Sequence, residues 1–207
     1  MADSKKILEI MEKISDKIIE QKEFLTELDA PIGDSDHGIN MARGFTEVKK
    51  KLPELADKDI GTIFKTVGMT LISTVGGASG PLYGTAFLKL GMKLAGAAEV
   101  NFTQFMEAFQ LAIEGVKQRG HSTTEEKTML DAMVPAMEAM NQAYEANGDT
   151  GAAFEKGVEA AEAGVQHTMD LIATKGRASY VGERGLGHQD PGATSFTFML
   201  QTAAENL

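Results

Sequence analysis

Ile7-Leu-Glu-Ile-Met-Glu-Lys-Ile-Ser-Asp-Lys-Ile-Ile-Glu-Gln-Lys-Glu-Phe-Leu-Thr-Glu-Leu28 carries Ile7, Met11, Ile14, Ile18, Leu25 and Leu28 at steps of three, four and seven. That spacing puts them on one helical face, with the charged residues opposite, and predicts a long amphipathic helix ending near Leu28. The pattern recurs downstream. Met41, Phe45, Val48 and Leu52 mark a second helix, stopped at Pro53 because the proline ring blocks continuation. Ile60, Ile63, Phe64, Val67, Leu71 and Val75 mark a third, and the fourth opens on Gly80-Pro81, where a proline in the first turn is harmless. Asn101 or Thr103 is suited to cap a fifth helix through Phe105, Phe109, Ala112, Ile113 and Val116, with Gly120 where a left-handed terminating residue belongs. The sixth carries Met129, Met133, Met137, Met140 and Tyr144, a stripe that reads as flexible core rather than a thioether site. A seventh starts at Asp149 or Thr150 and passes through Phe154, Val158, Ala161, Val165, Met169 and Ile172, and an eighth covers Thr194 to Asn206. No segment demands a β-strand. Mostly short connections then predict an all-α, single-domain fold over residues 1–207, an antiparallel eight-helix up-and-down bundle or barrel.

The 207 residues are 43% hydrophobic and 24% charged, with a formal net charge of −10. Such a chain folds around an ordinary core, and its charge repels nucleic acid and anionic lipid, so neither is expected as a partner. A phosphate ligand is compatible with that charge only if cations reverse the local potential. With no cysteine, disulfides, thiolate catalysis, zinc–thiolate sites and iron–sulfur clusters are excluded. The start of the chain leads into an amphipathic segment without an apolar signal core, and no run of about 18 apolar residues occurs, which points to the cytoplasm.

Chemistry concentrates in Leu28-Asp-Ala-Pro-Ile-Gly-Asp-Ser-Asp-His-Gly-Ile-Asn40. Pro31, Gly33 and Gly38 interrupt helix, so Asp29, Asp34 and Asp36 lie on a connector. Asp34 and Asp36 alternate about Ser35, and an extended backbone would aim both the same way, with Asp29 joining them if the loop folds back. Clustered carboxylates repel one another unless a hard divalent cation joins them, and magnesium suits a few carboxylates plus phosphate oxygens. The plainer reading is of loop and capping aspartates. Against it stand His37, Gly38, Ile39 and Asn40 at the next helix start, where free N–H groups and the helix dipole attract an anion.

Gly76-Gly-Ala-Ser-Gly-Pro81, with Ala78 and Ser79, reads either as a main-chain cradle for a ligand or as a tight turn between helices. It lacks the Gly-Lys-Ser/Thr of a Walker loop. Between Ala173 and Ala193 periodicity fails, and a segment that long is usually functional or disordered. There Arg177 is suited to fork onto phosphate, and Asp190, Pro191 and Gly192 to rim a ribose or base. Arg184 reads as a solvated arginine, and His121 and His167 as surface or core residues.

Asp34-Ser-Asp-His-Gly-Ile-Asn-Met41, Gly76-Gly-Ala-Ser-Gly-Pro81, Lys127-Thr-Met-Leu-Asp-Ala132, Arg177-Ala-Ser-Tyr-Val-Gly-Glu-Arg184 and Gly187-His-Gln-Asp-Pro-Gly-Ala-Thr-Ser195 closely resemble the L subunits of phosphotransferase-system dihydroxyacetone kinases, in order and over essentially the whole chain. The resemblance implies an eight-helix barrel with ADP or ATP at one end and two magnesium ions on Asp29, Asp34 and Asp36. It also implies that His37 to Asn40, Ala78 and Ser79 meet phosphates or ribose, that Gly120 and Met129 line the base, and that Arg177 and Asp190 to Gly192 close the pocket. By the same resemblance, a phosphohistidine-bearing M subunit phosphorylates bound ADP, and the ATP formed phosphorylates dihydroxyacetone on a separate K subunit. Glu126 departs from the family, which often has Asp before Lys-Thr-Met, and this touches pocket shape only. Two other readings stay open. One is a kinase subunit that exchanges ATP freely, and the other is a regulatory module whose nucleotide state controls docking to a transcriptional regulator or to K-like paralogues.

Overall fold

The computed structural model describes Met1–Leu207. Its helices are α1 (Ser4–Glu20), α2 (Lys22–Asp29), α3 (His37–Lys51), α4 (Ile60–Thr74), α5 (Ser79–Lys93), α6 (Phe102–Gly120), α7 (Leu130–Asn147), α8 (Thr150–His167) and α9 (Pro191–Ala204). Two-residue strands β1 (Ala2–Asp3) and β2 (Glu99–Val100) pair antiparallel. The all-α expectation stands. There are nine α-helices rather than eight because the long first helix divides at Gln21, whose ψ of 10° leaves α geometry. The apolar face skips a turn between Ile18 and Leu25, and the chain bends in that unburied turn, laying α2 against α3 and α9.

Around the molecule α1 packs on α3, then α4, α5, α6, α7, α8 and α9 follow in order, and α9 returns to α1. Since α2 prolongs α1, the ring has eight staves. The α2–α3, α4–α5, α6–α7 and α8–α9 connections gather at one end. The α3–α4, α5–α6 and α7–α8 connections and both termini lie at the other, where β1 meets β2. Forty-two buried residues form one continuous apolar core. Toward the terminal end it leaves an apolar cavity of about 410 Å³, bordered by Ile7, Ile10, Phe64, Phe105 and Phe196.

Of the two caps expected for α6 one is used, and several other helix ends differ from expectation. Asn101, not Thr103, caps α6, through a reciprocal box in which Gln104 N donates to Asn101 Oδ1 (2.9 Å) and Asn101 N to Gln104 Oε1 (3.0 Å). Asn101→Ala should therefore lower stability by about 1 kcal/mol, read as a lower urea midpoint at unchanged slope. The left-handed residue ending α6 is His121 (φ 48°), not Gly120, which is still helical. The seventh predicted helix stops at His167, short of Met169 and Ile172. There Thr168 Oγ1 turns back onto Val165 O (2.6 Å) and accepts from Asp190 N (2.9 Å), leaving Ile172 exposed. The last helix starts earlier than Thr194, because Asp190 caps it by accepting from Ala193 N and Pro191 occupies its first turn. The non-periodic segment before it holds two short 3-10 turns, Arg177–Tyr180 and Gly182–Gly185.

Candidate functional site

The four connections gathered at one end enclose a pocket of about 460 Å³. The α2–α3 connector contributes Asp29, Asp34 and Asp36, and α3 adds His37 and Asn40. Gly76 to Ser79 come from the α4–α5 turn, Gly120, Lys127 and Met129 from around the α6–α7 loop, and Arg177 and Asp190 to Gly192 from the last connection.

Each carboxylate of the acidic trio offers an oxygen within 4.8 Å of the others. Convergence does not come from an extended strand as the alternation suggested: Ser35 is left-handed (φ 60°), and Asp36 has a helical ψ of −12°. The reversal at Ser35 folds the connector back on Asp29. Asp29 is buried, and its Oδ2 accepts from Asp36 N (2.9 Å) and His37 N (3.2 Å), so it organises the connector and caps α3 from outside. Gly33 makes this possible, since a Cβ there would fall 2.0 Å from Asp29 Oδ1. Arg177 Nε reaches Asp34 Oδ2 at 2.8 Å. An all-oxygen, carboxylate-rich donor set suits a hard divalent cation such as magnesium.

Behind the trio runs a chain of hydroxyls. His37 Nδ1 lies 3.1 Å from Ser79 Oγ and its Nε2 3.0 Å from Ser195 Oγ. Ser195 Oγ lies 2.8 Å from Tyr83 Oη, which donates to Gly192 O (2.9 Å). Burial pushes the imidazole down to about 4, outweighing the opposing attraction of Asp29. His37 is therefore neutral near pH 7 and ties Ser79 to α9. The unfolded chain takes up this proton near 6.5 and the folded chain only near 4. The resulting stability is thus complete above 6.5 and falls as pH drops through that window. An imidazole NMR titration should give a midpoint near 4. The acid slope of stability should shrink in His37→Gln, and a midpoint near 6.5 would contradict the buried geometry. Asp190, raised to about 7 chiefly by burial and further by Asp131 and Asp29, acts with the opposite sign. The difference between wild type and His37→Gln isolates the histidine.

Two expected contacts do not face the pocket with their side-chain positions. Helical rotation turns His37 and Asn40 inward but carries Gly38 and Ile39 away. A Cβ on Gly38 would sit 2.0 Å from Lys22 O, and Ile39 is exposed. Their N–H groups are without backbone partners at the start of α3. Asn40 fits beside Gly76, where any side chain would meet its amide, and its Oδ1 accepts from Arg43 (2.7 Å). Gly120 is needed as wall, not as a turn residue, because Leu82 stands 3.3 Å from where its Cβ would be. Glu126 accepts from Thr123 N and Thr174 Oγ1 and does not line the pocket. Tyr83 escaped sequence reading, since a tyrosine in an apolar helix carries no signal of its own. Lys127 and Ser195 were visible only as letters within the family-like blocks. Arg119 and Lys175 also line the mouth and bring positive charge to it.

Fold and pocket together define an all-helical barrel with an acidic, anion-compatible cleft at one end. The chain belongs to the DAK2 domain family, which matches residues 31–205. It is 48% identical to the ADP-binding subunit DhaL of the PEP-dependent dihydroxyacetone kinase of Escherichia coli (strain K12), over 89% of this chain and 88% of that one. With the corresponding subunit of the PTS-dependent enzyme of Lactococcus lactis it shares 42% identity, over 96% and 95% of the two chains. The crystal structure of the C. freundii dihydroxyacetone kinase in complex with AMP-PNP and Mg2+ superposes on all of this chain with a TM-score of 0.77 at 26% identity. The chain spans 34% of that longer kinase.

Proposed function

We propose that this chain, as one unit over residues 1–207, is the nucleotide-carrying subunit of a phosphoenolpyruvate-dependent dihydroxyacetone kinase. The observation that carries the reading is the meeting, in one pocket, of three convergent carboxylates, two helix starts and Arg177. ADP held in this pocket would supply the chemistry, as acceptor of a phosphoryl group from a phosphohistidine M subunit and, as ATP, as its donor to dihydroxyacetone on a K subunit.

The chain's own residues bind and orient. Asp29, Asp34 and Asp36 would hold two magnesium ions, so that the polyphosphate meets a neutralised surface. The free N–H groups of Gly38 and Ile39, with Ala78 and Ser79 at the start of α5, would receive phosphate oxygens. Met129 and Gly120 would flank the base, while Asp190 to Gly192 and Arg177 exclude water. His37, neutral and hydrogen-bonded at both nitrogens, positions Ser79 and does not accept the phosphoryl group. The base toward the sugar hydroxyl would come from the K subunit, and phosphoryl transfer here would rest on positioning and charge neutralisation. No helix is long and apolar enough to cross a membrane, and a relay of this kind operates in the cytoplasm.

Native mass spectrometry of the purified chain should find retained ADP. Reconstitution with K and M subunits should pass the phosphoryl group of phosphoenolpyruvate to dihydroxyacetone, giving dihydroxyacetone phosphate and pyruvate, and lose that activity on magnesium chelation. Phosphorylation from added ATP without the M subunit, and an empty site in the mass spectrum, would overturn the relay in favour of free exchange.

A further inference from the structure

Lys127 is 2% exposed, yet no carboxylate pairs with its ammonium. Nζ donates instead to three main-chain carbonyls, Thr168 O (2.7 Å), Leu171 O (3.2 Å) and Gly185 O (2.8 Å). These use all three ammonium protons, and burying a cation is costly unless such partners exist. The backbone is bent to achieve it. Lys127 and Glu125 are both left-handed, with φ of 59° and 66°, a conformation that persists in side-chain-bearing residues only when surroundings impose it. Asp131 imposes it here, because its buried carboxylate accepts from the N–H groups of Glu125 and Thr128. The Lys127-Thr-Met-Leu-Asp131 run is thereby explained: the aspartate shapes the loop, and the loop drives the lysine inward.

The three carbonyls belong to the two ends of one excursion of the chain. Thr168 and Leu171 stand where it leaves α8, and Gly185 where it returns. Gly187 N also donates to Met169 O across the same neck (2.8 Å). On the departing side, Thr174 N donates to Glu126 O (3.3 Å) and Thr174 Oγ1 to Glu126 Oε1 (2.9 Å). The head of the excursion carries Arg177, whose guanidinium pairs with Asp34 of the acidic trio.

We propose that Lys127 is a positioning residue for the nucleotide site: it fastens the neck of the 168–187 excursion so that Arg177 is held over the mouth of the pocket. The inference rests on the nucleotide reading above. A free loop would have to be ordered at each binding event, and that entropy is removed in advance by the fastened neck.

The test is a double-mutant cycle on Mg-ADP affinity, measured calorimetrically for wild type, Lys127→Met, Arg177→Ala and the double variant, with limited trypsin digestion alongside. Arg177→Ala should weaken binding by about tenfold, the worth of one charge-assisted hydrogen bond. Lys127→Met should do about the same, and the double variant should bind no worse than the weaker single one. Trypsin should cut Lys127→Met faster after Lys175, Arg177 or Arg184 while circular dichroism stays helical. Losses that multiply in the double variant, or a Lys127→Met excursion as resistant as wild type, would overturn the proposal, since a merely structural lysine would not couple to Arg177. If Lys127→Met does not fold, Lys127→Gln, which keeps two donors, enters the same cycle under the same criteria. A wild-type chain that binds no Mg-ADP would bring down the nucleotide reading together with this proposal. Wild-type binding with multiplied losses brings down this proposal alone.

Discussion

Asp34→Ala is expected to reduce phosphoenolpyruvate-driven dihydroxyacetone phosphorylation in the reconstituted system by about a thousandfold or more, the rate equivalent of losing several kcal/mol of metal-derived charge stabilisation. The same variant should lose the rise in melting temperature that wild type shows on adding Mg-ADP. In chelator its stability should equal or slightly exceed that of wild type. Removing one of three mutually repelling carboxylates relieves strain in the metal-free protein, and the contact forfeited, with Arg177, is an exposed pair worth little. A structural aspartate would do the opposite, lowering stability in chelator and leaving the ligand-induced shift intact. Asp29 is the less informative choice, because its carboxylate also holds the N–H groups of Asp36 and His37. Replacing it disturbs the connector along with the ligand set. Retained activity in Asp34→Ala would remove the metal-nucleotide reading at its root.

The second large effect is on stability. Gly68→Val should lower it by about 3 kcal/mol or more, seen as a fall of roughly 10 °C in melting temperature for a chain of this size. Gly68 on α4 and Gly84 on α5 face each other, and a Cβ on Gly68 would lie 2.7 Å from Gly84 O and 2.9 Å from Leu88 N. The reverse holds too, with a Cβ on Gly84 lying 2.8 Å from Gly68 O. Gly61 and Gly91 repeat the arrangement one step along the seam, where each would place a Cβ 2.7 Å from the other's carbonyl. Main chain meets main chain along this seam, so no side-chain rotation can make room and the helices must separate. That separation would also open the Gly76–Ser79 turn, which joins these two helices at the pocket. Mg-ADP affinity should therefore fall with stability in Gly68→Val, whereas Asn101→Ala, at the far end, should leave it unchanged.

Much of this was legible beforehand because it is local. Helical spacing follows from 3.6 residues per turn, and it located α3 to α7 within a few residues, with Pro53 and Asn101 acting through their own bonds. The acidic trio and the glycine turn were readable for the same reason: charge crowding and missing Cβ atoms are properties of short stretches. The inaccuracies are equally physical. A step of seven is consistent with either a continuous or a bent helix, and only the docking of α2 on α3 and α9 selects the bend at Gln21. A loop folding back toward Asp29 is compatible with the letters, but nothing in them reveals that Ser35 makes the reversal in a left-handed conformation.

By itself, then, the amino-acid order determined the helices, their amphipathic faces and which residues were chemically equipped to bind a cation and an anion. Tertiary structure alone decided that α9 closes on α1 and that His37 meets Ser195, 158 positions away. It also decided that Lys127 is turned inward to fasten the excursion bearing Arg177. Spacing is enforced by bonds along the chain, but those pairings depend on which surfaces the folded barrel brings together once apolar burial has chosen its ring order.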